Sequence, residues 1–156
     1  MHHGNGIADI FANEPRIRYC STHEAGGFPG TGMDPEERGL LGNMLQLPLP
    51  KGSGSEVYLR AIREHALPFL LQPFGHSHAW PSVLLVCAGY DALEADPLAT
   101  MRLQPSDYYE SVQIILNEFG FPAERIALGL EGGYDLCHKS GMPAGVVQTC
   151  AAFVSS

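Results

Sequence analysis

The run Ser82-Val83-Leu84-Leu85-Val86-Cys87-Ala88 is apolar from its second residue onward and partly β-branched. That pattern predicts a parallel strand buried on both faces. Arg16-Ile17-Arg18-Tyr19-Cys20-Ser21 alternates with period two and predicts a second strand, and residues 125–130 predict a third. Helical spacing governs other stretches. Val57, Leu59, Ile62, Ala66, Leu67 and Leu70 largely share one face over residues 56–71, with Ser55 as the N-cap. Pro105-Ser106-Asp107 opens a helix that runs to Phe119, with Val112, Ile115, Leu116 and Phe119 as its apolar face. Residues 4–11 read as a short helix or turn, and residues 141–153 as a closing helix.

Glycine and proline punctuate the connections. Residues 23–34 form a loop containing Gly26, Gly27, Gly30 and Gly32 and one aromatic, Phe28. Residues 39–47 read as loop or edge strand. They are followed by the linker signals Pro48-Leu49-Pro50 and Gly52-Ser53-Gly54-Ser55. Residues 72–81 form a polar loop in which His76 and His78 read as surface groups. Strands alternate with helices, which predicts an α/β fold with a parallel sheet and covering helices. At 156 residues the chain is one domain or part of one.

An apolar fraction of 45% is enough for a buried core. Seventeen acidic residues against nine basic ones give a net charge of −8, which disfavours nucleic acid and anionic membrane surfaces as partners. A basic substrate would be attracted, although such a charge also serves solubility alone. The four cysteines are widely spaced, without a Cys-x-x-Cys pair. Cys20 and Cys87 fall in apolar runs and read as small buried hydrophobes, which suits a reducing, cytoplasmic or nuclear setting. No apolar run is long enough for a membrane span, and Met1-His2-His3 is not a signal peptide.

Candidate chemistry concentrates in three segments: His2-His3-Gly4-Asn5-Gly6, Ala88-Gly89-Tyr90-Asp91-Ala92 and Leu130-Glu131-Gly132-Gly133-Tyr134. Each presents an able side chain at what reads as the end of a strand, where open α/β sheets place their sites. The imidazole of His2 and the carboxylate of Asp91 can hold a metal, and the phenol of Tyr134 can stabilise an oxyanion. Each also has a plainer reading. His2 could be a chance terminal residue, Asp91 a cap for the next turn, and Tyr134 a wall tyrosine. Phe28 lines either a channel or a simple connection. Glu131 reads as hydrogen-bonding support, and Asp96-Pro97 as turn chemistry.

Together with Ser21-Thr22-His23, Phe28-Pro29-Gly30-Thr31-Gly32 and Asp96-Pro97-Leu98, these segments follow the order seen in zinc-dependent histone deacetylases. The chain resembles that family over nearly its whole length. The Glu-Gly-Gly-Tyr and Asp-Pro-Leu forms resemble the class II branch and the bacterial deacetylase or acetylpolyamine amidohydrolase branch. The resemblance implies the arginase-deacetylase fold, a three-layer α/β arrangement with helices on both faces of a parallel sheet. Residues 1–156 would be the carboxyl-terminal portion of that single domain, without its amino-terminal part. The resemblance further implies Zn2+ as cofactor, with His2 and Asp91 as two ligands and Tyr134 as the catalytic tyrosine. Phe28 would be one wall of the acyl-lysine channel, Leu98 a residue at its mouth, and Gly132 and Gly133 the adjoining backbone. The carbonyls of His2, Ser21 and Thr22 resemble contributors to a structural K+ site. The implied chemistry is amide hydrolysis: zinc polarises the acetyl carbonyl and activates water, histidines relay protons, and the phenol binds the oxyanion.

Two departures bear on activity. Met1 stands at the x of the family's Asp-x-His-His-Gly, so the Asp ligand would precede the chain. The family's catalytic histidine pair and second channel aromatic would also lie upstream, and His3 belongs to the metal motif. One expectation is therefore a deacetylase of histone or other protein lysines, or of acylated polyamines, with this chain carrying part of the site and inactive alone. Another is a truncated, catalytically inactive module that binds acylated peptides, a corepressor partner or a copy of itself. A third is a fragment that does not fold stably.

Overall fold

The structure, a computed structural model, describes residues 1–74 and 80–155. His76 and His78 lie outside the described residues. In chain order the elements are α1 (Asn5–Phe11), β1 (Tyr19–Glu24), β2 (Met44–Leu49), α2 (Ser55–Ala61), α3 (Leu67–Leu70), β3 (Leu84–Ala88), α4 (Pro105–Gln113), β4 (Ile126–Leu130) and α5 (Met142–Val154). A π-helical turn (Ile62–Ala66) joins α2 to α3 without a break, and a second (Ile114–Glu118) prolongs α4.

The strands form two parallel pairs. In the first, Tyr19 faces Met44 and Glu24 faces Leu49. In the second, Leu84 faces Ile126 and Ala88 faces Leu130, with α4 in the crossover. β1 begins three residues later than the alternation predicts and continues to Glu24. Arg18 explains the shift: its guanidinium donates to the Phe69 carbonyl and lies 4.8 Å from the Phe69 ring centre and 4.5 Å from that of Phe74. The stretch left open as loop or edge strand is the strand β2, which takes in Pro48 and Leu49 of the expected linker. Proline is tolerated there because β2 has a neighbour on one side alone.

Ser55 is not the N-cap of α2; Gly54 is. The Ser55 hydroxyl instead donates to Asp107 Oδ2 at 2.8 Å, tying α2 to α4. The same carboxylate oxygen accepts from the Gln104 N–H at 2.8 Å, completing a capping box at the start of α4.

The core has two centres. One gathers Leu93, Met101 and Leu103 around Tyr58, Tyr90 and Tyr108, with the last two rings stacked 4.6 Å apart. The other joins Leu67, Leu71, Leu84, Ile114, Ile115 and Phe121. β3 is parallel as predicted but is not buried on both faces. Leu84 and Ala88 point into the core, whereas Leu85 is 73% exposed and Cys87 is exposed. Side chains alternate across a strand, and one face of this pair stands open. The expectation of a buried Cys87 fails for that reason, while Cys20 is partly buried. Among the described residues, no helix is long and apolar enough to cross a membrane.

Candidate metal and catalytic site

Asp91 sits in a tight turn just beyond β3 and is 2% exposed. The backbone fixes it there. The ladder between β3 and β4 continues past the strands, with Glu131 N–H donating to the Ala88 carbonyl at 3.0 Å and Tyr90 N–H to the Gly132 carbonyl at 2.7 Å. Tyr108 adds a hydroxyl donated to the Gly89 carbonyl at 2.9 Å, and the Tyr90 and Thr149 hydroxyls bond at 2.9 Å. A side chain at position 132 would collide with the site, because a Cβ there would lie 2.6 Å from Asp91 Oδ2. Gly133 has φ +145, a conformation that side chains disfavour.

The carboxylate meets two groups from the start of the chain. Its Oδ2 lies 2.6 Å from His2 Nδ1, and its Oδ1 accepts from the Met1 amino group. Burial lowers the pKa of that amine, opposed by Asp91. The Asp91 side chain is thus aimed at an imidazole nitrogen and a cationic group in a buried pocket. The donor types and this buried, glycine-lined setting fit a zinc ion. Among the described residues, no group of three or more His, Cys, Asp or Glu side chains converges on one point.

Phe28 stands at the entrance, 78% exposed, with its ring edge-on to His2 at 6.0 Å between centres. Leu98 and Tyr134 are joined by Asp96. Its Oδ1 accepts from the Leu98 N–H at 2.9 Å and its Oδ2 from the Tyr134 N–H at 2.7 Å. The side chain of Tyr134 is about half exposed, and its hydroxyl makes no hydrogen bond with His2 or Asp91. The structure therefore brings His2, Asp91, Phe28 and Gly132 into one place, and connects Tyr134, Gly133 and Leu98 to it through the backbone and Asp96.

Ser21 and Thr22 lie in β1, where Ser21 is buried. The Ser21 hydroxyl is 3.1 Å from His23 Nδ1, and His23 Nε2 donates to the Gly32 carbonyl at 2.8 Å. His3 Nδ1 bonds the Thr31 hydroxyl at 2.7 Å, and its ring centre is 4.8 Å from that of His23. Burial lowers the pKa of both histidines. Reading the residues alone passes over Asp96 and the His23–Gly32 contact. For Asp96 the available signal is an acidic residue between two apolar stretches, which turn chemistry accounts for without a tertiary partner.

The profile of the histone deacetylase domain matches residues 1–150. An uncharacterized Synechocystis protein is 41% identical over 149 residues, covering 96% of this chain and 44% of that protein. Histone deacetylase 14, chloroplastic, of Arabidopsis thaliana is 38% identical over 141 residues, covering 87% of this chain and 31% of that protein. The crystal structure of acetylpolyamine aminohydrolase from Burkholderia pseudomallei superposes with a TM-score of 0.80 at 25% identity, over 98% of this chain and 42% of that one. The chain belongs to the histone deacetylase family and forms a partial α/β domain of the arginase-deacetylase fold. It spans less than half the length of these relatives.

Proposed function

We propose that the chain carries part of a zinc-dependent amidohydrolase site that removes acetyl groups from lysine side chains of histones or other proteins, or from related acylated amines. The observation that carries this reading is the buried approach of His2 Nδ1 to Asp91 Oδ2 at 2.6 Å, against a glycine that leaves the carboxylate room. His2 and Asp91 would hold the metal, which when bound polarises an acyl carbonyl and acidifies water. Tyr134 donates its hydroxyl to the carbonyl oxygen as negative charge develops there. Phe28 and Leu98 offer apolar flanks to the acylated side chain, and the acidic surface attracts a cationic substrate. The carbonyls of His2, Ser21 and Thr22 hold a structural K+. Residues 1–156 are then the carboxyl-terminal portion of one deacetylase domain.

A second reading is a non-catalytic module that binds acylated peptides. The presence of two candidate metal donors where a catalytic zinc normally has three protein ligands favours it. Activity of an upstream-extended form on an acetyl-lysine peptide and on an acetylpolyamine decides between them. Tyr134→Phe in that form should cost about 100-fold or more in kcat, the scale of losing one oxyanion donor, with zinc affinity unchanged. Undiminished kcat refutes the role of Tyr134. Saturable peptide binding without turnover in the same form establishes the second reading.

A further inference from the structure

Each strand has a single hydrogen-bonded neighbour, so β1 and β3 each present one unpaired edge. Met1 stands at the carboxyl ends of both. Its carbonyl accepts from the N–H of Glu24, the last residue of β1, at 3.3 Å. Its amino group reaches Asp91, three residues beyond the end of β3. Its side chain packs in the core cluster that also holds Leu49, at the end of β2, and Ala88, at the end of β3. Met1 thus forms one backbone rung beside β1 and lies between the two edges.

The open face of the second pair adjoins this gap. Leu85 and Cys87 are exposed on β3, and so are their partners Ala127 and Gly129 on β4. Parallel pairs persist when both faces are covered, and unpaired edges recruit further strands. The relatives supply a source of cover, because their deacetylase chains are more than twice as long as the stretch they share with this one.

We propose that the gap between β1 and β3 accepts one parallel, apolar β-strand from the complementary portion of a deacetylase domain. The product is a five-stranded sheet in the order β2, β1, incoming strand, β3, β4. The carboxyl end of the new strand lies at Met1, beside Asp91, and the rest of that portion covers Leu85 and Cys87. Main-chain pairing supplies affinity, and the apolar face supplies selectivity. This docking rests on the family and on the strand geometry, not on the proposed hydrolysis.

The test co-expresses the full chain with the part of the Synechocystis relative that lies outside the matched stretch. Light scattering should give a one-to-one complex. Amide hydrogen exchange across Tyr19–Glu24 and Leu84–Ala88 should slow about tenfold or more relative to the chain alone. Leu85→Lys, at a position exposed in the free chain, should leave its circular dichroism unchanged and weaken the complex about tenfold or more. A fusion of the two pieces into one polypeptide provides the same exchange readout if the partner is insoluble by itself. Unchanged exchange at both edges in the complex and in the fusion overturns the proposal. So does a dimer of the chain with itself that protects the same strands. A complex that forms without hydrolysing acetyl-lysine leaves this inference standing and removes the proposed activity.

Discussion

Replacing Gly132 by alanine tests whether the glycine-lined turn holds Asp91 in place. The new Cβ would lie 2.6 Å from Asp91 Oδ2, 2.8 Å from its Cγ and 3.4 Å from its Cβ. The first two separations are well inside ordinary contact, so the methyl group cannot be accommodated without movement. The backbone has little room to yield, because the Gly132 carbonyl accepts from Tyr90 N–H at 2.7 Å. The carboxylate must therefore swing away from His2 or the loop must lift. Overpacking of this kind costs about 1–3 kcal/mol. For a domain of this size each kcal/mol lowers Tm by about 2–4 °C, so a fall of roughly 2–12 °C is expected by calorimetry. Zinc affinity, measured by competition with a chromophoric chelator, should fall alongside it. Gly6→Ala is the control: nothing lies within 4 Å of its Cβ position on α1, so Tm should hold or rise slightly. If Gly132→Ala matches the parent in both Tm and zinc affinity, the turn does not constrain Asp91 and the reasoning fails.

Two further outcomes follow from titration. His23 is 1% exposed, and its burial pushes its pKa below the ordinary 6.5. The unfolded chain then takes up a proton below that pH while the folded chain resists it, so stability is full above it and declines as pH falls through it. Melting midpoints from about pH 8 to about pH 5 should show that decline, and His23→Gln should flatten it; equal slopes in the two proteins would contradict the assignment. Cys137 is exposed, and the Ser140 hydroxyl with the Lys139 and Ser140 N–H groups lowers its pKa, while burial pushes Cys20 up to about 12. Iodoacetamide at neutral pH should label Cys137 well before Cys20, as read by peptide mass spectrometry, and equal rates would refute the difference.

Local patterning carried much of the fold. The helices over residues 55–70 and 105–118, the strand at 84–88 and the closing helix all sit within a few residues of where hydrophobic spacing places them. The misses have tertiary causes. Arg16 to Arg18 alternate like a strand, but Arg18 is drawn to Phe69 and Phe74, contacts more than fifty residues away. β2 was hidden behind two prolines that an edge strand tolerates. Ser55 has the composition of a cap, yet its hydroxyl serves Asp107. At the site, the convergence of His2 with Asp91 was legible as two motifs at strand ends. The joining of Leu98 to Tyr134 by Asp96 was not, because one carboxylate accepting from two loops leaves no periodic trace. Cys87 shows a different limit: an apolar run announces a face that wants cover without saying which polypeptide provides it.

The π-helical turns at Ile62–Ala66 and Ile114–Glu118 bear on how the chain tolerates changes in length. Each holds one residue more than a regular α-helical turn of the same reach. Deleting a residue from either would let the helix close into α geometry, and everything beyond it would rotate by roughly 100° about the axis. In the first helix that rotation would turn Leu67 and Leu71 away from Leu84 and Ile114; in the second it would displace Phe121 from the same cluster. Both helices spend their extra residue on this one centre. Indels in these segments should therefore act on packing as a pair, and a deletion in one would be better tolerated alongside a matching deletion in the other than alone.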